Sequence, residues 1–204
     1  MKDYLLKNSP TTHLTINLQK QKILERGSVI TLPCKNFLAR TDYESPAIGQ
    51  EINLDFSALL LDGNGKLPSE NHFIFYGNRH SPDGSIEWFD DGNDPGATGE
   101  MTLGLDLTRV EATVLQVVLV LTIHEATMKN QTIAHLNRPY IRFCDLTREL
   151  YRFEPVGGES ARSLELCRIL RNGCAWVLVA TGIGSPNEMG DYAMSHLPSQ
   201  GGVS

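Results

Sequence analysis

The sequence predicts an all-β protein, a two-sheet antiparallel β-sandwich with one or two short helices. Apolar and polar residues alternate with a period of two along several segments, which is typical of half-buried strands. Turn-forming residues separate these segments at short intervals, as in sandwich folds. The chain of 204 residues is long enough to bury a full core without disulfide or metal support.

In the first half of the chain, short strands end in tight turns. Residues 14–18 and 52–61 alternate between apolar and polar side chains. Residues 62–65 and 81–84 contain the Asp, Asn and Gly that left-handed turn positions favour, so each predicts a tight turn. Residues 34–49 carry little pattern, and we expect a loop there.

In the second half, residues 115–123 form a nearly continuous Val, Leu and Ile run that suits a central strand buried on both faces. Asn172 and Gly173 lie between two apolar arms, which is a strong hairpin signal. Helices are expected only at residues 106–112 and 189–197. The other expected strands are residues 27–32, 72–76, 86–89, 101–107, 140–143, 150–153, 164–170 and 175–180.

Composition limits the classes of function. The net charge is −6 and no cluster of Lys and Arg occurs, so a nucleic-acid partner is not expected. The start of the chain lacks the apolar core of a signal peptide, and the longest apolar run, residues 114–123, is too short to span a bilayer. We therefore expect a cytoplasmic protein. Its four cysteines, which lack Cys-x-x-Cys spacing, are expected to be reduced.

No catalytic motif stands out in the sequence. His124 and Glu125, at the end of the apolar run, are residue types that perform acid–base chemistry. The simpler interpretation, which we favour, is a partly buried pair that satisfies backbone groups at a strand end. A hydrolase that uses these two residues is the less favoured alternative, and we expect no enzymatic activity.

Oxygen-bearing side chains are the more specific signal. Asn53, Asp55 and Ser57 share one face of a strand, and calcium prefers oxygen ligands of this kind. A solvated rim of turn residues explains the same pattern, so both interpretations stay open. Further acidic residues come from turns that could reach this face: Asp83, Asp90, Asp91, Asp94 and Glu100.

Several segments of the chain match, in order, the motifs of one protein family. The segment 53–58 is similar to Asp-Leu-Asp-x-Ser, and 72–78 to Phe-Ile-Phe-Tyr-Asn-Asn. The other matching segments are residues 81–86, 120–126, 139–142 and 171–176. This ordered series resembles the TerD tellurium-resistance family. The resemblance covers residues 13–198, with residues 1–12 as an N-terminal extension and residues 199–204 as a flexible tail.

The resemblance implies a β-sandwich that binds calcium through acidic loops at one edge. In this chain Asp55 matches the second aspartate of the family motif, and Asn53 replaces the first. Asn78 matches the second asparagine of the Asn-Asn pair, and Asp90 an aspartate of the next loop. Glu100 is essentially what remains of a longer acidic run. Because calcium affinity follows the number of charged ligands, we expect a weakened calcium site or none.

The resemblance also implies a role. Family members are bacterial cytoplasmic stress proteins, and they are thought to act with other resistance proteins in membrane-associated complexes. We expect a non-enzymatic binding or scaffold protein of a tellurite and stress-resistance system. A scaffold that works without metal is the main alternative.

Overall fold

A computed structural model of the chain describes residues 22–46, 52–89, 100–158 and 160–198. These residues form two six-stranded sheets, a two-stranded ribbon and two short helices, α1 (Ala126–Lys129) and α2 (Met189–Met194). The strands are β1 (Lys22–Leu24), β2 (Val29–Thr31), β3 (Asn36–Asp42), β4 (Ser45–Pro46), β5 (Leu54–Leu61), β6 (Phe73–Ile74), β7 (Ile86–Phe89), β8 (Met101–Asp106), β9 (Gln116–Ile123), β10 (Leu136–Asn137), β11 (Tyr140–Cys144), β12 (Glu149–Phe153), β13 (Ser163–Asn172) and β14 (Ala175–Ser185).

The two large sheets form the layers of a sandwich. Sheet A has the order β1-β12-β11-β3-β8-β7, and sheet B the order β2-β14-β13-β9-β5-β6. Neighbouring strands are antiparallel except at one edge of sheet A, where β1 runs parallel to β12. The predicted β-sandwich is therefore confirmed, with this one parallel pair as an addition.

The core lies between the sheets because alternate residues of each strand point inward. On β5, Leu54, Phe56 and Ala58 belong to the main buried cluster, together with Leu119 and Leu121 of β9. Strand β9 is buried on both faces, as its continuous apolar composition predicted. Burial of this apolar surface is the main favourable contribution to folding.

The loop expected at residues 34–49 was wrong in part, because strand β3 lies there near the middle of sheet A. Phe37, Ala39 and Thr41 point into the core, while Leu38 and Arg40 point outward. The period of two is present in the burial pattern. It is obscured in the sequence because a polar Thr points inward and an apolar Leu points outward.

The helix expected at residues 106–112 was also wrong, and turns occupy this segment. Arg171 holds it by donating hydrogen bonds to the backbone carbonyls of Val110, Glu111 and Val114. This tertiary contact overrides the weak local helix propensity. The helix expected at residues 189–197 is confirmed as α2.

Helix α2 covers the outer face of sheet B. Its Tyr192 packs, with Leu197 just beyond it, on a second buried cluster. That cluster consists of Leu59, Leu61, Leu67, Val118 and Val120. The outward faces of β5 and β9 are therefore buried against α2 and the chain that follows it.

The expected turns are present. Asp62 accepts hydrogen bonds from the N–H groups of Asn64 and Lys66, and Gly65 adopts a φ of +74°. Asn172 pairs with Ala175 across the β13–β14 hairpin. The expected strand at 14–18, loop at 90–99, extension at 1–12 and tail at 199–204 lie outside the described residues.

Candidate cation site

Asp55 lies near the start of β5, on the outer face of sheet B. Its neighbours Leu54 and Phe56 point into the core, so the alternation of the strand directs Asp55 to the opposite face. The residue is nevertheless buried, with 7% of its surface exposed. A carboxylate in such a place requires a partner, because removing its charge from water is costly.

Two hydroxyl residues continue from Asp55 across the sheet. Asp55 lies opposite Thr122 of β9, and Thr122 lies opposite Ser163 of β13. Both hydroxyl residues are at most 1% exposed. The backbone register thus aligns three oxygen-bearing side chains on three adjacent strands, a relationship that no local sequence pattern displays.

Several buried oxygens at this end of sheet B lack a well-formed hydrogen bond among the described residues. Thr122 Oγ1, Ser163 Oγ and Asn53 Oδ1 have none, and Asp55 Oδ2 has His124 Nδ1 at the long distance of 3.5 Å. Buried polar groups in native proteins are nearly always paired with protein, water or an ion. Unpaired oxygens concentrated at one end of sheet B therefore mark a place suited to a bound polar species.

His124 flanks the site on the solvent side. Its Nδ1 is 3.5 Å from Asp55 Oδ2, and its backbone N–H donates to the carbonyl of Asn53 over 2.8 Å. The imidazole is 44% exposed, and its Nε2 is 3.8 Å from Glu125 Oε1. Glu125 has a left-handed backbone (φ +55°) and pairs with Lys129.

The burial of Asp55 governs its ionisation. Desolvation raises the pKa of this carboxyl above its ordinary value, while His124 opposes the shift by its charge and by hydrogen bonding. The net direction is upward, so the ionised carboxylate is less stable here than in water. A cation that contacts Asp55 Oδ2 would offset this cost.

Asn78 lies in the turn that follows β6, at the edge of sheet B. Its side-chain amide donates hydrogen bonds to the carbonyls of Phe73 and Asn71. Its backbone N–H and carbonyl both pair with Phe75. The amide nitrogen of Asn78 therefore builds this turn, and no described contact joins the residue to Asp55.

Glu100 lies on the other sheet. Its two carboxylate oxygens accept hydrogen bonds from Nε and Nη2 of Arg142, and Arg40 Nη1 is 3.4 Å away. The neighbours of Arg40 and Arg142 on β3 and β11 point into the core, so Glu100 lies against the outer face of sheet A. Hydrogen bonding to Glu100 raises the pKa of Arg142.

Of the five residues proposed from sequence as metal ligands, the structure describes four, and these four do not all come together. Asn53 and Asp55 come together at one end of sheet B, whereas Glu100 lies on the opposite outer face of the sandwich. Asp90, with Asp91 and Asp94, lies outside the described residues. Sequence reasoning missed Thr122 and Ser163 because their alignment with Asp55 across the sheet depends on strand register.

The oxygen atoms around Asp55 fit a hard cation of low affinity. Carboxylate, amide and hydroxyl oxygens are the donors that calcium prefers. The set contains one carboxylate, and no group of three or more His, Cys, Asp or Glu suited to a metal occurs among the described residues. Because affinity follows ligand charge, these residues fit a weak site rather than a tight one.

Three cavities on the described part of the molecule lie away from His124. They have volumes of roughly 310, 420 and 280 Å³. None of the three includes His124, Glu125 or Asp55 in its lining. A substrate pocket around His124 is therefore not among these cavities.

The fold and the site define a two-layered β-sandwich protein with a buried, oxygen-lined site at the end of one sheet. The family model for the TerD domain matches residues 22–196. The chain belongs to this family.

Curated relatives agree with this membership. A tellurium resistance protein TerD from Alcaligenes is 31% identical over 155 residues, which cover 74% of this chain and 81% of that protein. A TerD from Serratia marcescens is 30% identical over the same length and coverage. General stress protein 16U from Bacillus subtilis is 27% identical over 140 residues, with 67% of this chain and 72% of that protein covered.

Solved structures show the same fold. A TerD homologue from Streptomyces coelicolor superposes with a TM-score of 0.60 at 18% identity, covering 80% of this chain and 99% of that one. Within the described part of the chain, neither helix has the length and apolar character needed to traverse a membrane.

Proposed function

We propose that this chain is a non-enzymatic binding protein of a bacterial tellurite and stress-resistance system, with a weak calcium site at Asn53 and Asp55. Family membership and the relatives named for tellurium resistance and general stress support the resistance role. In this proposal the protein acts in the cytoplasm, together with other resistance proteins in a membrane-associated complex.

The observation that carries the calcium part is the set of unpaired buried oxygens at Asp55 and Asn53. A calcium ion there would supply positive charge to a carboxylate that the fold buries against its preference. Asp55 provides the charge of the site, and Asn53 provides a neutral oxygen two residues earlier. The backbone bond between Asn53 and His124 fixes the ends of β5 and β9 relative to each other.

The proposed absence of catalysis rests on the surroundings of His124. Its Nδ1 faces Asp55 and its Nε2 faces Glu125, so both ring nitrogens have acidic neighbours. Among the described residues, no hydroxyl or thiol hydrogen-bonds to this imidazole. Such a contact is how a histidine base activates a nucleophilic hydroxyl or thiol.

Calcium titration of the wild type and of Asp55→Asn tests the proposal. We expect the melting temperature of the wild type to rise in millimolar calcium and to return when chelator is added. The variant keeps the shape of Asp55 without its charge, so its response should be lost. A wild type that gives neither heat on titration nor a melting shift would contradict the calcium site.

One observation favours the alternative, a scaffold that works without metal. Glu100 is already paired with Arg142, and Asp55 Oδ2 has His124 Nδ1 3.5 Å away, so the protein itself places a basic side chain beside each acid. Capture of partner proteins from a cell lysate, by wild type and by Asp55→Asn, separates the two functions. Equal capture by both, with and without chelator, would favour the scaffold.

A further inference from the structure

Thr122 occupies the middle of the polar row on sheet B. It lies opposite Asp55 on one side and opposite Ser163 on the other. The rest of β9 is apolar after Gln116, with Val118 and Val120 on the same face of the strand. Valine would fill the place of Thr122 equally well, so packing alone gives no reason for a hydroxyl there.

The hydroxyl of Thr122 has no protein partner within the described residues. Its Oγ1 is fully buried and makes no hydrogen bond, although a threonine hydroxyl commonly bonds a nearby carbonyl. The nearby Asn53 Oδ1 also makes no hydrogen bond, and the adjacent Asp55 Oδ2 has His124 Nδ1 at the long distance of 3.5 Å. These three oxygens, on β5, on β9 and just before β5, form a built site rather than a single irregularity.

We infer that Thr122 Oγ1 is the third side-chain ligand of the cation site, beside Asn53 and Asp55. This inference rests on the calcium site proposed above and adds a residue that the sequence did not indicate. Opposite residues on antiparallel strands have Cβ atoms about 4.5–5.5 Å apart. One ion at about 2.3–2.6 Å from each oxygen therefore spans Asp55 and Thr122.

Ser163 lies beyond the reach of the same ion. It is two strands from Asp55, and strands are about 4.8 Å apart, so the separation is about twice that distance. Its hydroxyl is as buried as that of Thr122 and equally unpaired. Ser163 is therefore a matched control for Thr122, because the same chemical group is deleted in the same sheet one strand away.

The ligand set determines the strength of the site. Asn53 and Thr122 are neutral, so Asp55 is the single negative charge among the three side chains. Calcium sites with few charged ligands bind in the range of about 10⁻⁴–10⁻³ M. The inference therefore predicts binding that is saturable but needs nearly millimolar calcium.

The experiment compares calcium binding by wild type, Thr122→Val and Ser163→Ala, with calorimetry and thermal melting. We expect Thr122→Val to weaken calcium binding roughly tenfold or more, a change of about 1.4 kcal/mol, while Ser163→Ala binds like wild type. Without calcium, the Thr122→Val variant should melt at or above the wild-type temperature. The Thr122 hydroxyl has no protein hydrogen-bond partner, so deleting it leaves no further group without a partner.

The other outcomes separate the possible failures. If Asp55→Asn abolishes binding and Thr122→Val does not, the calcium site stands and Thr122 is not a ligand. If the wild type does not bind calcium, both proposals fail. If Thr122→Val and Ser163→Ala each lower the melting temperature without calcium, the row holds structural water and the ligand role of Thr122 is overturned.

Discussion

Glu100 and Arg142 form a two-pronged ion pair on the outer face of sheet A, with both carboxylate oxygens bonded to one guanidinium. Both side chains are about a quarter exposed, so solvent weakens the pair only in part. Glu100, which directly precedes β8, is therefore linked to Arg142 of β11 across the intervening strand β3. Glu100 is thus paired with Arg142 on the outer face of sheet A, whereas Asp55 lies on the outer face of sheet B.

Glu100→Gln should lower the free energy of unfolding by about 1 kcal/mol, because the charge-assisted bonds to Arg142 are weakened. Its affinity for calcium should equal that of the wild type. Urea denaturation measures the first quantity and calorimetric titration the second. Loss of calcium binding in this variant would place Glu100 in the cation site.

Asp55→Asn should stabilise the calcium-free protein at pH 7, because it removes a buried charge. Burial raises the pKa of Asp55 above its unfolded value, so the ionised carboxylate favours the unfolded state at neutral pH. As the pH falls through the raised pKa towards about 4, Asp55 becomes protonated and loses its charge. The stability of the wild type should then approach that of the variant. Urea unfolding of both proteins in chelator, at several pH values, measures the effect; a gap that widens in acid would contradict it.

Asp83 joins two segments and should contribute stability that is lost in acid. Its Oδ1 accepts bonds from Ser81 Oγ and the Ser85 N–H, and its Oδ2 accepts one from the N–H of Glu111. Burial alone would raise the pKa of Asp83, but these hydrogen bonds outweigh it and lower the value. Its contribution is therefore present above the unfolded pKa of about 3.9 and disappears as the pH falls through the lower folded value.

Asp83→Asn should accordingly cost about 1–3 kcal/mol at pH 7 and less near pH 3. Asp62→Asn is the control, because Asp62 also caps a turn but bonds only within its own loop. Guanidinium unfolding at both pH values provides the comparison. Equal losses for the two variants would show that the link to Glu111 adds nothing.

Arg168 should be essential because Glu165 is buried beneath α2. Glu165 is 2% exposed, accepts two bonds from Arg168 and accepts a third from the Tyr192 hydroxyl. Arg168→Met leaves this carboxylate with the Tyr192 hydroxyl but without its cationic partner, and should cost about 3–5 kcal/mol. The double variant with Glu165→Leu should recover most of the loss. If the double variant is no more stable than Arg168→Met, an unpaired charge is not the cause.

The sequence predicted the strands whose alternation or apolar run is complete, such as β5 and β9. It missed β3, because the polar Thr41 is buried in the core while the apolar Leu38 lies half-buried on the outer face. The calcium hypothesis located Asp55 through its alternation and its family motif. Thr122 remained hidden because its place beside Asp55 depends on pairing between β5 and β9, which a linear pattern does not encode.

The parallel pairing of β1 with β12 has a consequence for how the chain folds. Leu24 lies beside Phe153, so an edge of sheet A cannot close until most of the chain is available. Loop closure over such distances slows folding, and β-rich topologies of this kind fold in milliseconds to seconds. During synthesis, strand β1 leaves the ribosome long before β12. Until β12 has been synthesised, the backbone groups of β1 lack their partner strand.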